Sequence, residues 1–210
     1  MSNPQNHHIQ HPVMQDRLAR LRSKECLPAN FRRYVHEIAQ LMVPYTTDDL
    51  PTTATQVETP IQPTTGETLA RGIILVPILR AGLGMLDGFL HLLPEASVAH
   101  IGMKRNEETL QPESYYFNVP PNISDASVLV LDPMLATGGS ASASITELKK
   151  QGAQNIRFIC MVAAPEGIAQ LNEDHPDVPL YFPALDDKLN EHGYIVPGLG
   201  DAGDRIFGTI

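Results

Sequence analysis

Asp132, Thr137, Gly138, Gly139 and Ser140 form the strongest local concentration of chemically usable groups in the chain. They follow Val128-Leu129-Val130-Leu131, an apolar run that suits a strand buried on both faces. Such a strand delivers Asp132 at its carboxyl end, and in an open α/β sheet ligands bind beyond those ends. Asp132-Pro133-Met134-Leu135-Ala136 then leads into Thr-Gly-Gly-Ser, which opens a helical pattern. Free N–H groups at a helix start, with glycines allowing close backbone approach, suit a phosphate monoester. The hydroxyls of Thr137 and Ser140 add donors, and Asp132 stands where a ribose hydroxyl can donate to it. Alone, Gly138-Gly139-Ser140 reads as a tight turn with Ser140 as N-cap. The acid six residues before Gly138 turns the reading toward phosphate.

Other reactive side chains have simpler readings by themselves. Arg80 is a surface arginine at a strand–helix turn, and Arg105 sits in a polar stretch that reads as a solvated loop. Asp201 and Asp204 lie in an Asp-x-Gly context that often only shapes turns. His91, His100, His175 and His192 read as structural or solvated. Cys160 lies in Ile159-Cys160-Met161-Val162, where a buried thiol is expected.

The elements that must hold these residues alternate. Ile73 to Val76, Val98 to Met103, Val128 to Leu131, Ile156 to Val162 and Leu180 to Phe182 read as strands. Helical faces lie between them: Leu83, Leu86, Phe89, Leu90 and Leu93, closed by Pro94; Ser140 to Gln151, closed by Gly152; and Gly167 to Leu171. Upstream, Asn30 is a candidate N-cap for a stripe of Phe31, Tyr34, Val35, Ile38, Leu41 and Met42 that Pro44 ends, and a weaker helix spans Met14 to Leu21. The Thr/Pro-rich stretch Leu50 to Glu67 is a hairpin arm or a long loop, with a turn at Thr65-Gly66. After Pro183 the chain is Gly-rich, and an ordered loop structure is expected. The alternation predicts a doubly wound α/β fold with a mainly parallel sheet.

A chain of 210 residues, 42% hydrophobic and 19% charged, can build one generous domain. Residues 1–10 are polar, lack the apolar core of a signal peptide and read as a disordered tail, leaving 11–210 as a single domain. The formal charge of −9 opposes a nucleic-acid partner, whose affinity comes from Lys and Arg on phosphates. No run of about 18 apolar residues exists, so no membrane span is expected. Two cysteines without metal spacing predict reduced thiols and a cytoplasmic home.

The segment Asp132 to Ser140 resembles the phosphoribosyl pyrophosphate (PRPP) motif of type I phosphoribosyltransferases, and its Asp-Pro form is similar to the uracil phosphoribosyltransferase branch. Three further segments are similar to that family: Val76 to Gly84 to its pyrophosphate loop, Gly102 to Thr109 to its flexible arm, and Gly193 to Arg205 to its uracil-binding hood. His11-Pro12, Leu21-Arg22 and Phe31-Arg32 resemble its N-terminal helices. The resemblance runs from about His11 to the C-terminus and is weakest across Leu50 to Arg71. It implies a core sheet over 71–182 and a hood over 183–210.

The resemblance also implies roles. PRPP would be bound by Arg80, Arg105, Asp132, Pro133, Met134, Leu135, Ala136, Thr137, Gly138, Gly139, Ser140 and Asp201. Arg80, Arg105 and Asp201 would serve catalysis, and Ile195, Gly200, Asp201 and Ala202 would receive uracil. Mg²⁺ would arrive mainly through PRPP, with Asp201 holding it through water. A homodimer or larger homo-oligomer, and activation by GTP in some members, are further implications of the resemblance. Two departures stand out. Lys104 replaces a tyrosine expected in many relatives, and Pro133 replaces the second acid common in the wider superfamily, leaving Asp132 without an acidic neighbour. Competing readings are an RNA-gripping regulator of the same fold, a phosphoribosyltransferase for purines or orotate, and a dinucleotide oxidoreductase. The last lacks its fingerprint, because Asp87 stands where the final glycine belongs.

Overall fold

The computed structural model describes residues 5–105 and 112–209, without the side chains of 104–105 and 112–114. A short strand, β1 (Asn6–His8), precedes two helices, α1 (Pro12–Arg22) and α2 (Pro28–Thr47). A hairpin of β2 (Thr52–Glu58) and β3 (Pro63–Leu69) follows. The alternating part runs β4 (Ile73–Leu79), α3 (Leu83–Leu92), β5 (Ser97–Val98), β6 (His100–Arg105), β7 (Pro112–Asn118), β8 (Ser127–Leu131), β9 (Met134–Leu135), α4 (Gly139–Lys150), β10 (Asn155–Ile159), β11 (Val162–Ala163), α5 (Pro165–Asp174) and β12 (Leu180–Phe182). The C-terminal part holds β13 (Ala184–Leu185), β14 (Lys188–Leu189), β15 (Ile195–Val196) and α6 (Ala202–Phe207).

The main sheet has the order β1-β12-β10-β8-β4-β6-β7, with β5 also on β4. Every pair is parallel except β6 with β7. The central strands β4 and β8 are apolar along nearly their whole length because both faces are covered. Ile73 and Leu75 of β4, with Leu129 and Leu131 of β8, join the core beneath α1, α2 and α3. Ile74, Val76 and Ile78, with Val128 and Val130, join the core beneath α4 and α5. The period of two along each strand thus splits one apolar run between two helical layers. This is the mainly parallel doubly wound sheet expected from the alternation of elements.

Several local expectations are corrected. The disordered tail expected over 1–10 is replaced at Asn6–His8 by an edge strand paired in parallel with Leu180–Phe182, and His7 and His8 stack on Tyr181 and Phe182. Helix α2 begins at Pro28, not after Asn30, because proline at the first helical position surrenders an N–H that has no partner there. It also runs three residues past Pro44, and the Thr46 and Thr47 hydroxyls donate to the Val43 carbonyl in that last turn (3.1 and 2.7 Å). The arm is a hairpin, but Thr65 and Gly66 lie inside β3 opposite Gln56 and Thr55. The turn is at Thr59–Gln62, where the Thr59 hydroxyl accepts from the Ile61 and Gln62 N–H groups (3.2 and 3.1 Å). The C-terminal segment, expected to be loop throughout, contains the β14–β15 ladder and α6. Asp201 caps α6 by accepting from the Asp204 N–H (2.9 Å), and Gly208 ends it at φ +68.

Candidate active site

The carboxyl end of β8 delivers Asp132 to the floor of a cavity of about 260 Å³. Ala81, Met134 and Ala136 line one side, and Gly193, Tyr194, Ile195, Gly200, Asp201, Ala202 and Gly203 line the other. The acid at the end of this central strand and the C-terminal segment therefore face one another across a single space. Asp132 is half-buried and accepts only a long bond from the Met134 N–H (3.3 Å). Burial without a cationic partner pushes its pKa up to about 7, and the Met134 bond opposes that rise weakly.

The turn from Met134 to Ser140 is placed from two directions. Met134 and Leu135 form β9, which pairs with Val162 and Ala163 of β11. Gly138 takes φ +83 as the N-cap of α4, and no side chain caps that end. The Gly139 N–H makes only a long bond to the Thr137 hydroxyl (3.5 Å), which leaves this helix start suited to an acceptor outside the helix. Helix α5 presses closely from behind. A Cβ on Gly167 would lie 2.4 Å from the Ala136 carbonyl oxygen, and one on Gly138 would lie 3.0 Å from Gln170 Cβ. His175 joins the two helices, with Nε2 2.9 Å from the Ser142 carbonyl, while the Ser142 hydroxyl donates to Asp174 (2.6 Å). Pro133 and Leu135 are buried and their carbonyls already accept from the Met161, Val162 and Ala164 N–H groups, so both residues shape the turn from within. Thr137 and Ser140 are exposed.

Arg80 follows the end of β4, across a cis peptide from Leu79. Gly82 next to it fits where nothing larger would, because a Cβ would lie 2.3 Å from the Leu131 carbonyl oxygen. The exposed guanidinium donates to Asp204 Oδ1 (3.1 Å) and lies 5.9 Å from the Phe207 ring centre. Asp204 also accepts from the Thr209 hydroxyl (2.6 Å), and these two bonds, Thr209 first, hold its carboxyl below the usual range. Arg80 thus sits beside α6 rather than in the cavity lining. The guanidinium of Arg105, the side chain of Lys104 and residues 106–109 of the arm lie outside the described residues.

The hood is braced by groups that the reading of sequence left without a role. Arg22, the last residue of α1, pairs with buried Asp186 and also donates to the Gly198 carbonyl (2.8 Å). Arg32 donates to the Ile206 carbonyl (2.8 Å), and Arg205 donates to the Leu199 and Ser23 carbonyls (2.7 and 2.6 Å) while lying over the Phe31 ring. Arginines in Leu21-Arg22 and Phe31-Arg32 are visible in the sequence, but their carbonyl partners are about 175 residues away, so only the fold reveals the contact. His175 is buried and bonded, as its structural reading expected, and His192 is exposed. Among the described residues, no group of three or more His, Cys, Asp or Glu could hold a metal, and no helix is long and apolar enough to cross a membrane.

A parallel sheet whose acid-tipped central strand leads into a glycine-rich helix start defines a type I phosphoribosyltransferase fold. The chain superimposes on a purine phosphoribosyltransferase from Pyrococcus horikoshii with a TM-score of 0.53 over 74% of this chain and 85% of that one, at 17% identity, a likeness of fold alone. The AQ2163 protein from Aquifex aeolicus superimposes with a TM-score of 0.91 and 34% identity, over 96% of this chain and 97% of that one. The family model for uracil phosphoribosyltransferase matches residues 8–209. The chain is 54% identical over 202 residues to the uracil phosphoribosyltransferase of Levilactobacillus brevis, covering 96% of this chain and 97% of the relative. This chain belongs to the uracil phosphoribosyltransferase family.

Proposed function

We propose that this chain transfers the 5-phosphoribosyl group of PRPP to N1 of uracil, giving UMP and pyrophosphate. The observation that carries the reading is the shared cavity, with Asp132 and the Met134–Ala136 turn on one side and Ile195, Gly200, Asp201 and Ala202 on the other. A sugar phosphate anchored at the Ala136–Ser140 amides places C1′ beneath a base held by the hood.

The C1′–N1 bond forms as the C1′–oxygen bond to pyrophosphate breaks; the leaving group departs with the bonding pair and N1 loses its proton. No protein nucleophile is needed, and the protein contributes position and charge stabilisation. Asp132 accepts from a ribose hydroxyl. Arg80 and Arg105 take pyrophosphate oxygens two at a time. The Arg80–Asp204 pair is exposed and therefore weak, so the more highly charged pyrophosphate displaces the carboxylate. Uracil offers acceptor, donor and acceptor along O4, N3–H and O2. Backbone groups at Ile195 and Gly200 to Ala202 answer with donor, acceptor and donor. Cytosine would bring an amine against a donor and leave buried groups unpaired, which discriminates strongly.

Two carboxylates, Asp132 and Asp201, line the cavity without a third metal-binding partner among the described residues, which fits a hydrated Mg²⁺ held mainly by PRPP oxygens. Asp201 would hold it through water, and the ion would supply charge neutralisation at pyrophosphate. A homodimer is part of this reading, supported by the arm: β2 and β3 are exposed along almost their whole length, and a lone hairpin is marginally stable. GTP as an activator and a cytoplasmic location belong to it as well.

Incubation with labelled uracil, PRPP and Mg²⁺ tests the assignment, with cytosine, orotate and hypoxanthine compared in parallel. UMP formation with uracil preferred is expected. Preference for another base, or RNA binding without any nucleotide product, would overturn it.

A further inference from the structure

The turn proposed to hold uracil is gripped from behind by an ion pair between buried Asp186 and half-buried Arg22, which come from opposite ends of the chain. Arg22 Nη2 donates to Asp186 Oδ1 (2.6 Å) and Nη1 donates to Asp186 Oδ2 (2.7 Å), a two-pronged pair. Arg22 Nη1 also donates to the Gly198 carbonyl (2.8 Å), and the Gly198 N–H donates to Asp186 Oδ2 (2.8 Å). Both polar groups of a single residue are therefore fixed by the pair. Gly198 adopts φ +63, and a Cβ there would lie 2.2 Å from the Ile195 carbonyl oxygen. The clamped residue thus folds tightly onto Ile195, and Gly200 follows two positions later.

Asp186 is referenced to the other half of the cavity too. Its N–H donates to the Ala163 carbonyl (2.9 Å), and Ala163 in β11 pairs with Leu135 in β9. One acid therefore connects the Met134–Leu135 segment of the phosphate turn to the Ile195–Gly200 turn.

We propose that Arg22 and Asp186 are positioning residues that set the spacing between the base-holding turn and the phosphoribose turn, and thereby the affinity and selectivity for uracil. The proposal rests on the functional reading above. A pair that served folding alone would alter stability and both substrates together. A displacement of the turn by about 1 Å would instead weaken use of the base by on the order of tenfold to a hundredfold.

The test uses full-length Arg22→Lys, Asp186→Asn and the double variant Arg22→Met/Asp186→Leu, which removes the pair without leaving a lone buried charge. Steady-state kinetics for each substrate are measured alongside thermal unfolding, with cytosine as the competing base. The expected result is a KM for uracil raised about tenfold or more and a reduced preference for uracil over cytosine, with the KM for PRPP within about twofold. Folded variants with unchanged uracil KM would overturn the proposal, as would parallel losses for both substrates. Failure of all three variants to fold would assign the pair to stability and overturn it equally. Absence of UMP with the wild-type chain would remove the functional reading, and this proposal with it.

Discussion

A half-buried carboxyl group that shares its cavity with Ala81, Met134, Ala136 and Ile195 loses part of its hydration without gaining a cation, and the raised pKa of Asp132 follows. Because the folded value, about 7, exceeds the ordinary carboxylate value of 3.8, the protonated group is favoured by folding. That stabilisation is complete below the unfolded pKa and is lost as pH rises through the folded one. Asp132→Asn is therefore expected to melt above wild type at pH 8, with the gap closing toward pH 4 in thermal scans. The same substitution should weaken PRPP binding, and more so at pH 8 than at pH 6, since only the ionised acid is a full acceptor; calorimetry at both values checks this. Asp201 combines two roles that a single alanine would confuse. As N-cap of α6 its loss costs about 1 kcal/mol, whereas asparagine keeps a cap and removes the charge. Asp201→Asn is expected to lose turnover at an unchanged melting temperature, and Asp201→Ala to lose both. Arg80→Ala should raise the KM for PRPP rather than for uracil, read from kinetics on each substrate.

Among the elements, strand ends and helix starts carry the site, and small residues let them approach. Gly82 is confined between the Leu131 and Ile78 backbones, so the loop after β4 and the end of β8 are neighbours only while that position lacks a Cβ. Gly82→Ala is expected to destabilise the chain by about 1–3 kcal/mol, seen as a lower urea midpoint, because backbone rather than a flexible side chain must move. Much of this was legible: an apolar run ending in Asp132, then Thr-Gly-Gly-Ser, announces a strand, a turn and a helix start. The docking of α5 behind the turn was not, because Gly167 and His175 acquire meaning only against Ala136 and Ser142. Element ends were missed where a local rule was outweighed, as at Pro44, or where six residues are too few to show a period, as in α6.

On the scale of the molecule, two cores lie on opposite faces of one sheet, and α1 and α2 extend one of them to support the C-terminal part. Phe31, fully buried beneath the Arg205 guanidinium (4.4 Å from ring centre), belongs to that support. The arm reaches away from both cores. Its Thr52–Glu67, Thr55–Thr68 and Gln56–Thr65 side-chain bonds favour the hairpin, but its faces remain uncovered. For the homodimer proposed above, replacing residues 52–69 with a short Gly/Ser connection is expected to give a monomer in sedimentation while the melting transition of the body persists. A mass in sedimentation unchanged from that of the full chain would rule out the hairpin as the joining surface.

Order along the chain was enough for the alternation of strands and helices, for a glycine-rich helix start after an acid, and for the resemblance of four segments to one family. Those features depend on neighbours within a dozen residues, where periodicity, caps and turn residues operate. The tertiary structure decided the rest. It paired Asn6–His8 with β12, closed the hood over Asp132, drew Arg80 to Asp204, and set Arg22 against Asp186 and Gly198. Each is a contact between segments whose separation leaves no local trace, so charge, hydrogen bonding and burial become meaningful only once the sheet has brought them together.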